Sequence, residues 1–160
     1  MKTIQQLIAT LPQQGRLEWI GLRPARRAEI NVVQQAELIT NYGIKGDRSA
    51  EKTGRKRQVT LIQAEHLPVI ASCAGMDEVK PELLRRNLLV SGINLLALKD
   101  KTFQVGGAVL EYTGLCAPCS YMEEVLGEGG YNAMRGHGGI TARIVKADSI
   151  LLGDSVQVLE

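Results

Sequence analysis

The sequence predicts a mainly β, barrel-like fold with a few short helices, on three observations. The second half of the chain reads as many short strands at turn-rich spacing. Strands do not alternate with long helices, which argues against a doubly wound parallel sheet. At 160 residues, 44% hydrophobic and 22% charged, the chain fits one domain that can bury a core without staples. The expected organisation is a single domain over residues 1–160, with no internal repeat and no low-complexity linker.

Taken in order, Ile4, Leu7, Ile8 and Leu11 have the spacing of an amphipathic helix that ends at Pro12. The alternating run Arg16 to Arg23 predicts a strand, closed by Pro24, and a second is expected from Ile30 to Leu38. From Tyr42 to Arg57, paired glycines and an almost wholly polar stretch predict a basic loop. The β-branched run Gln58 to Ile62 predicts a strand, followed by a helix from Gln63 to Ala74 that stops at Gly75. Pro81 suits a first helical position, so Pro81 to Arg86 is expected as a short helix running into a strand at Asn87 to Val90. Further strands are expected at Phe103 to Val105, Ala108 to Thr113, Ile140 to Lys146 and Ser155 to Leu159, with a helix at Ser120 to Leu126.

Composition excludes several functions. Lys plus Arg exceeds Asp plus Glu by 19 − 17 = 2, so net charge gives no argument for an acidic polymer. Aromatic residues at 4% are too few for a base-stacking surface, and nucleic acid is not an expected partner. No apolar run approaches the roughly 20 residues that span a bilayer, and the N-terminus lacks a basic stretch leading into an apolar signal segment. A cytoplasmic protein without a membrane partner is therefore expected, with its three cysteines reduced.

The strongest chemical signal is Gly114-Leu115-Cys116-Ala117-Pro118-Cys119-Ser120, two thiols between a strand and a helix. A position at a helix start favours the thiolate form, able to attack or to ligate. Buried cysteines also serve as small hydrophobes, but that use does not call for Gly and Pro beside the pair. A thioredoxin-type dithiol belongs near the start of a βαβ unit, whereas only two strand candidates follow here. A structural zinc site needs four ligands, and the remaining candidates Cys73, His66 and His137 have no paired spacing. A site for a soft metal or a sulfur atom beside an anion pocket is the third reading. Arg85-Arg86-Asn87 supplies guanidinium forks and an amide for such a pocket, and Gly46-Asp47-Arg48 with Arg55-Lys56-Arg57 adds cations. The glycine-dense pieces Gly127 to Gly130 and Arg135 to Gly139 read either as two flexible hairpin connections or as backbone that approaches an anion, with Arg135 and His137 available to complete the pocket.

Four pieces in sequence order resemble the MOSC domain, named for the C-terminal domain of molybdenum cofactor sulfurases. They are Gly43-Ile44-Lys45-Gly46-Asp47-Arg48, then Arg57 to Ile62 with Glu65, then Arg86 to Val90 with Gly92-Ile93, and Cys116-Ala117-Pro118-Cys119. The likeness runs from about Tyr42 to the C-terminus, through Arg135-Gly136 and Gly153-Asp154. It implies a strand-rich barrel with its core at about 42–160, residues 1–41 being part of the same domain. It also implies that Cys119 is the functional centre, with Cys116 the less constant thiol. Cys119 would ligate the molybdenum of a pterin cofactor, or carry persulfide sulfur from a pyridoxal-phosphate-dependent desulfurase. The family's Arg-x-Asn pattern falls on Arg85 and Asn87 at the pterin phosphate, with Arg86 beside them and Arg57 as a further candidate. The implied reaction is reduction of N-hydroxylated or N-oxide substrates, and the alternative is sulfur carriage without turnover. Ser49 stands where the family often has His. No desulfurase, ferredoxin-like or flavin-binding segment accompanies the match, so sulfur or electrons are expected from a partner protein. Pyridoxal phosphate on this chain is not expected, because no lysine has a recognisable Schiff-base context.

Overall fold

The computed structural model describes residues 1–12, 14–48 and 54–159. Eleven strands are present among them: β1 (Gly15–Leu22), β2 (Asn31–Val33), β3 (Gln35–Ile39), β4 (Gly43–Ile44), β5 (Val59–Gln63), β6 (Leu88–Ser91), β7 (Thr102–Val105), β8 (Ala108–Leu115), β9 (Ile140–Lys146), β10 (Asp148–Leu151) and β11 (Ser155–Val158). Five short helices accompany them: α1 (Ile4–Ile8), α2 (His66–Ala74), α3 (Pro81–Leu84), α4 (Ser120–Leu126) and α5 (Gly130–Met134), with a 3₁₀ turn at Leu95–Leu98. The fold is mainly β, as the sequence predicts.

Seven strands close on themselves in the order β1-β11-β7-β8-β9-β5-β6 and back to β1, while β2 hangs on the outer part of β1. All neighbouring pairs in this ring are antiparallel except β5 and β6, which run parallel. A parallel pair needs a long crossover, and α2 and α3 supply it. Closure leaves the ring without free edges. A small second sheet, β10-β3-β4, lies beside it.

The strands have two buried faces because the barrel is packed inside and partly covered by helices outside. Leu17, Ile20, Leu61, Leu88, Val90, Phe103, Leu110 and Ile140 fill the interior. Trp19, Ile62 and Leu89 point the other way, into a second cluster with Ile70, Leu84, Met122, Leu126 and Met134. Alternation breaks once in β1, where Leu17 and Ile20 both face inward. The register of β1 on β6 slips between Leu17 and Trp19, and such a bulge shifts which residues face the core.

The structure redraws several expected elements. The strand expected from Ile30 to Leu38 is two, β2 and β3, which leave Gln34 for different sheets. The basic loop contains β4, paired with β3 through Leu38 and Ile44. Helix α2 begins at His66 rather than Gln63, since Gln63 still belongs to β5. Helix α3 ends at Leu84 because Arg85 adopts a left-handed conformation, φ 59°. The N-terminal helix forms, yet Ile4, Leu7 and Ile8 remain exposed and Leu11 alone of its apolar set packs on the core. Among the described residues, no helix is long and apolar enough to cross a membrane.

One glycine is required by the barrel wall. Gly139 precedes β9 at φ 88°, and a Cβ there would overlap the Leu61 carbonyl oxygen of β5. Gly139→Ala adds left-handed strain to that overlap and is expected to cost at least about 2 kcal/mol of stability, read as a lowered urea midpoint.

Candidate functional site

The ends of four strands deliver the candidate residues to one end of the barrel. Arg23 follows β1, Asp47 and Arg48 follow β4, Arg85 to Asn87 lead into β6, and Cys116 to Cys119 join β8 to α4. Backbone hydrogen bonds pin the approach: Arg48 N donates to Arg23 O at 2.6 Å, and Arg23 N donates to Asp47 Oδ1 at 2.8 Å.

Asn87 is fully buried, and its amide joins three segments. Its Oδ1 accepts from Thr60 N at 3.1 Å and from Thr60 Oγ1 at 3.2 Å on β5. Its Nδ2 donates to Gly21 O on β1 at 3.1 Å and to Asp47 Oδ1 at 3.0 Å. Arg86 is buried too, and its guanidinium donates to backbone carbonyls. Nε donates to Gly138 O at 2.9 Å, Nη1 to Leu84 O at 3.1 Å, and Nη2 to Cys116 O and Ala117 O at 3.3 and 3.4 Å. Burial pushes this guanidinium below its ordinary pKa, opposed by the neighbouring Cys116 thiol, while the Arg57 charge adds to the lowering. Arg86 thus stitches the cysteine loop to the loop before β9. The approach is so close that a Cβ on Gly138 would overlap Cys116 O.

The cysteines separate in exposure. Cys116 is buried at 2%, its amide donating to Gly139 O at 2.9 Å, whereas Cys119 is exposed. Cys119 opens onto a cleft of about 310 Å³ lined also by Arg23, Arg26, Arg27, Arg48, Arg85 and Tyr121. Five arginines therefore share one cleft with an exposed thiol. Arg85 Nη1 donates to Ala28 O at 2.8 Å, which orients it, and its guanidinium carbon lies 5.6 Å from the Tyr121 ring centroid. Arg27 stacks over the same ring at 4.8 Å and pairs with Glu124 at 3.4 Å. Arg23 lies 3.7 Å from Asp47 as an ion pair, but its buried Nε has no hydrogen-bond partner. Burial lowers the pKa of Arg23 against the pull of Asp47, with Arg57 and Arg85 repelling it further. Concentrated like charge favours an anion in the cleft.

The structure brings Cys119 and Arg85 together in this cleft, and holds Cys116, Arg86 and Asn87 behind it as buried partners of the backbone. Arg57 is exposed and outside the cleft lining, although its charge acts on Arg23 and Arg86. Ser49 lies outside the described residues. Arg135 lines a different cavity, and His137 packs edge-on against His66, ring centroids 5.2 Å apart. Sequence reasoning missed Arg23, Arg26 and Arg27; the signal available was the basic cluster around Pro24. No three His, Cys, Asp or Glu side chains gather into a metal cage among the described residues.

The MOSC domain model matches residues 48–157. No curated protein matches the chain. Among solved structures, the YuaD protein of Bacillus subtilis is similar with a TM-score of 0.80 and 20% identity, over 93% of this chain and 98% of that one. YiiM of Escherichia coli is similar with a TM-score of 0.70 and 16% identity, over 91% of this chain and 70% of its own. YiiM of Geobacillus stearothermophilus gives 0.69 and 13%, over 91% and 75%.

Three outcomes follow from this geometry. Arg86→Lys replaces a planar fork by a point charge that cannot span carbonyls on three segments, and is expected to lose about 2–4 kcal/mol in chemical denaturation. Exposed Arg26→Ala should stay within about 0.5 kcal/mol of the parent. Burial, then the charge of His137, lowers the pKa of His66, against an opposing effect of Glu65. The neutral ring is thus favoured in the folded state, so its stabilisation is present above about pH 6.5 and is lost as pH falls below that value. His66→Gln should flatten the decline in Tm between about pH 7.5 and 5.5.

Proposed function

The chain belongs to the MOSC domain family, and on that footing we propose that it binds the molybdenum cofactor at Cys119 and reduces N-hydroxylated or N-oxide substrates there. The observation that carries this reading is the exposed Cys119 thiol at a cleft lined by Arg23, Arg26, Arg27, Arg48 and Arg85. A soft thiolate ligand beside a concentration of guanidinium groups suits a metal carried on an anionic organic cofactor. Arg23, whose Nε is 3.7 Å from Asp47, adds a further cation to that lining.

In this reading each residue has a separate task. Cys119 ligates the metal, and Arg85, held by Ala28 O and Tyr121, meets the anionic group with Arg23 and Arg48. Arg86 and Asn87 position those residues from beneath, and Arg57 adds positive potential from outside the cleft. When bound, the cofactor supplies a two-electron centre able to take an oxygen atom. Electrons then come from a separate electron-transfer protein.

The exposure of Cys119 also suits a second reading, in which the thiol carries persulfide sulfur from a desulfurase and hands it on. Protein purified from a host that makes the cofactor separates the two. The first reading expects near-stoichiometric molybdenum, lost in Cys119→Ser and kept in Cys116→Ala. Absence of molybdenum with cyanide-labile sulfur on Cys119 overturns it in favour of the second.

A further inference from the structure

The loop from Cys116 to Cys119 has a second cavity on which the reading above does not draw. Leu96, Leu115, Pro118, Tyr131 and Arg135 line an opening of about 290 Å³, with Cys116 and Ala117 at the loop side. Leu115, Leu96 and Tyr131 come from β8, the 3₁₀ turn and α5, yet are 66%, 44% and 42% exposed. Large apolar side chains from three elements converge on one concavity and are left in water. The volume lies at the small end for an organic ligand. Tyr131 and Pro118 contribute ring-bearing residues to the lining, and Gly138 and Gly139, without side chains, leave room beside them. Among the described residues of the lining Arg135 alone is charged, and its Nη1 donates to Asn132 Oδ1 at 3.4 Å. The Glu123 carboxylate is engaged elsewhere, accepting from Gly129 N and Tyr131 N at 2.9 Å each.

We propose that this cavity binds a planar aromatic molecule bearing one anionic substituent, the ring against Leu115, Tyr131 and Pro118 and the anion on Arg135. Apolar walls supply the affinity, and the single guanidinium fixes orientation. That the ligand is the organic body of the substrate rests on Cys119 being the reactive centre, because the two share one loop; binding itself does not depend on that reading.

The test is titration of the protein with 2-naphthoate and with 2-naphthol, neutral at pH 7, followed by amide chemical shifts of Gly136, Gly138 and Gly139. The carboxylate should bind about fivefold more tightly than the phenol, and Arg135→Gln should erase that preference. Leu115→Asp, at an exposed position and with its unfolding midpoint checked, should weaken both by at least about tenfold. Cys119→Ser should alter neither. No saturable shifts at these glycines, or binding indifferent to Leu115→Asp, overturns the proposal while leaving molybdenum at Cys119 untouched. Binding as described with no molybdenum on the protein supports the cavity and removes the cofactor reading instead.

Discussion

Burial of Arg86 and Asn87, adjacent in the chain, is the constraint on which the site depends. An unpaired guanidinium inside a protein costs several kcal/mol, and a buried amide without partners costs a further share. Both costs are offset only if the surrounding segments stay where they are. Arg86 requires the carbonyls of residues 84, 116, 117 and 138 to converge, and Asn87 requires β5, β1 and Asp47 to do so. The same carbonyls would lack a strong donor without the guanidinium, so charge and backbone satisfy one another. Removing either polar side chain therefore disturbs the cysteine loop and the arginine-bearing segment after β1 together.

What is held by this arrangement is an unfavourable concentration of charge. Five arginines at one cleft repel, and the carboxylates that pair with them, Asp47 and Glu124, offset only part of the repulsion. Tyr121 takes up more, since its ring meets both Arg27 and Arg85. The exposed pair Arg27–Glu124 is worth little in salt, whereas Asp47 is buried and less screened. The buried charge at Arg23 is thus the one its carboxylate offsets most, and the positive charge left for an entering anion rests on exposed Arg26 and Arg48.

The strand-rich fold was legible because turn residues bound short runs that either alternate, as in β7, or are apolar on both faces, as in β5 and β6. The split of residues 30–38 into β2 and β3 was not legible, since a bend at Gln34 between two short apolar runs leaves no Gly or Pro. β10 was missed because Asp148-Ser149-Ile150-Leu151 has one buried side chain and carries no alternation of its own. For the site, local chemistry pointed to the pair Cys116 and Cys119 and to Arg85-Arg86-Asn87, and only the family resemblance preferred Cys119 within the pair. It could not tell that Arg86 and Asn87 face inward, because a polar residue before a strand reads the same whether its donors meet a ligand or a backbone carbonyl. Arg135 and His137 looked like companions of the anion cleft, but proximity in sequence to glycines does not fix which side of the loop they reach. Arg23 enters the cleft through long-range pairing with Asp47, which no local pattern encodes, whereas Arg26 and Arg27 were visible only as a basic cluster around Pro24.

The spacing of the two thiols then acquires a physical meaning different from a dithiol. Cys116 still belongs to the barrel wall: its amide donates to Gly139 O, its carbonyl accepts from Arg86, and its side chain is buried. Three residues later the chain has crossed the loop and Cys119 stands at the start of α4, open to the cleft. Pro118 between them lacks an N–H and restricts Ala117 toward extended conformations, which favours a loop that crosses rather than coils. The Ala117 carbonyl completes the restraint by accepting from Arg86. One thiol thus anchors the loop in the core and the other presents sulfur to solvent, so the motif is asymmetric by construction.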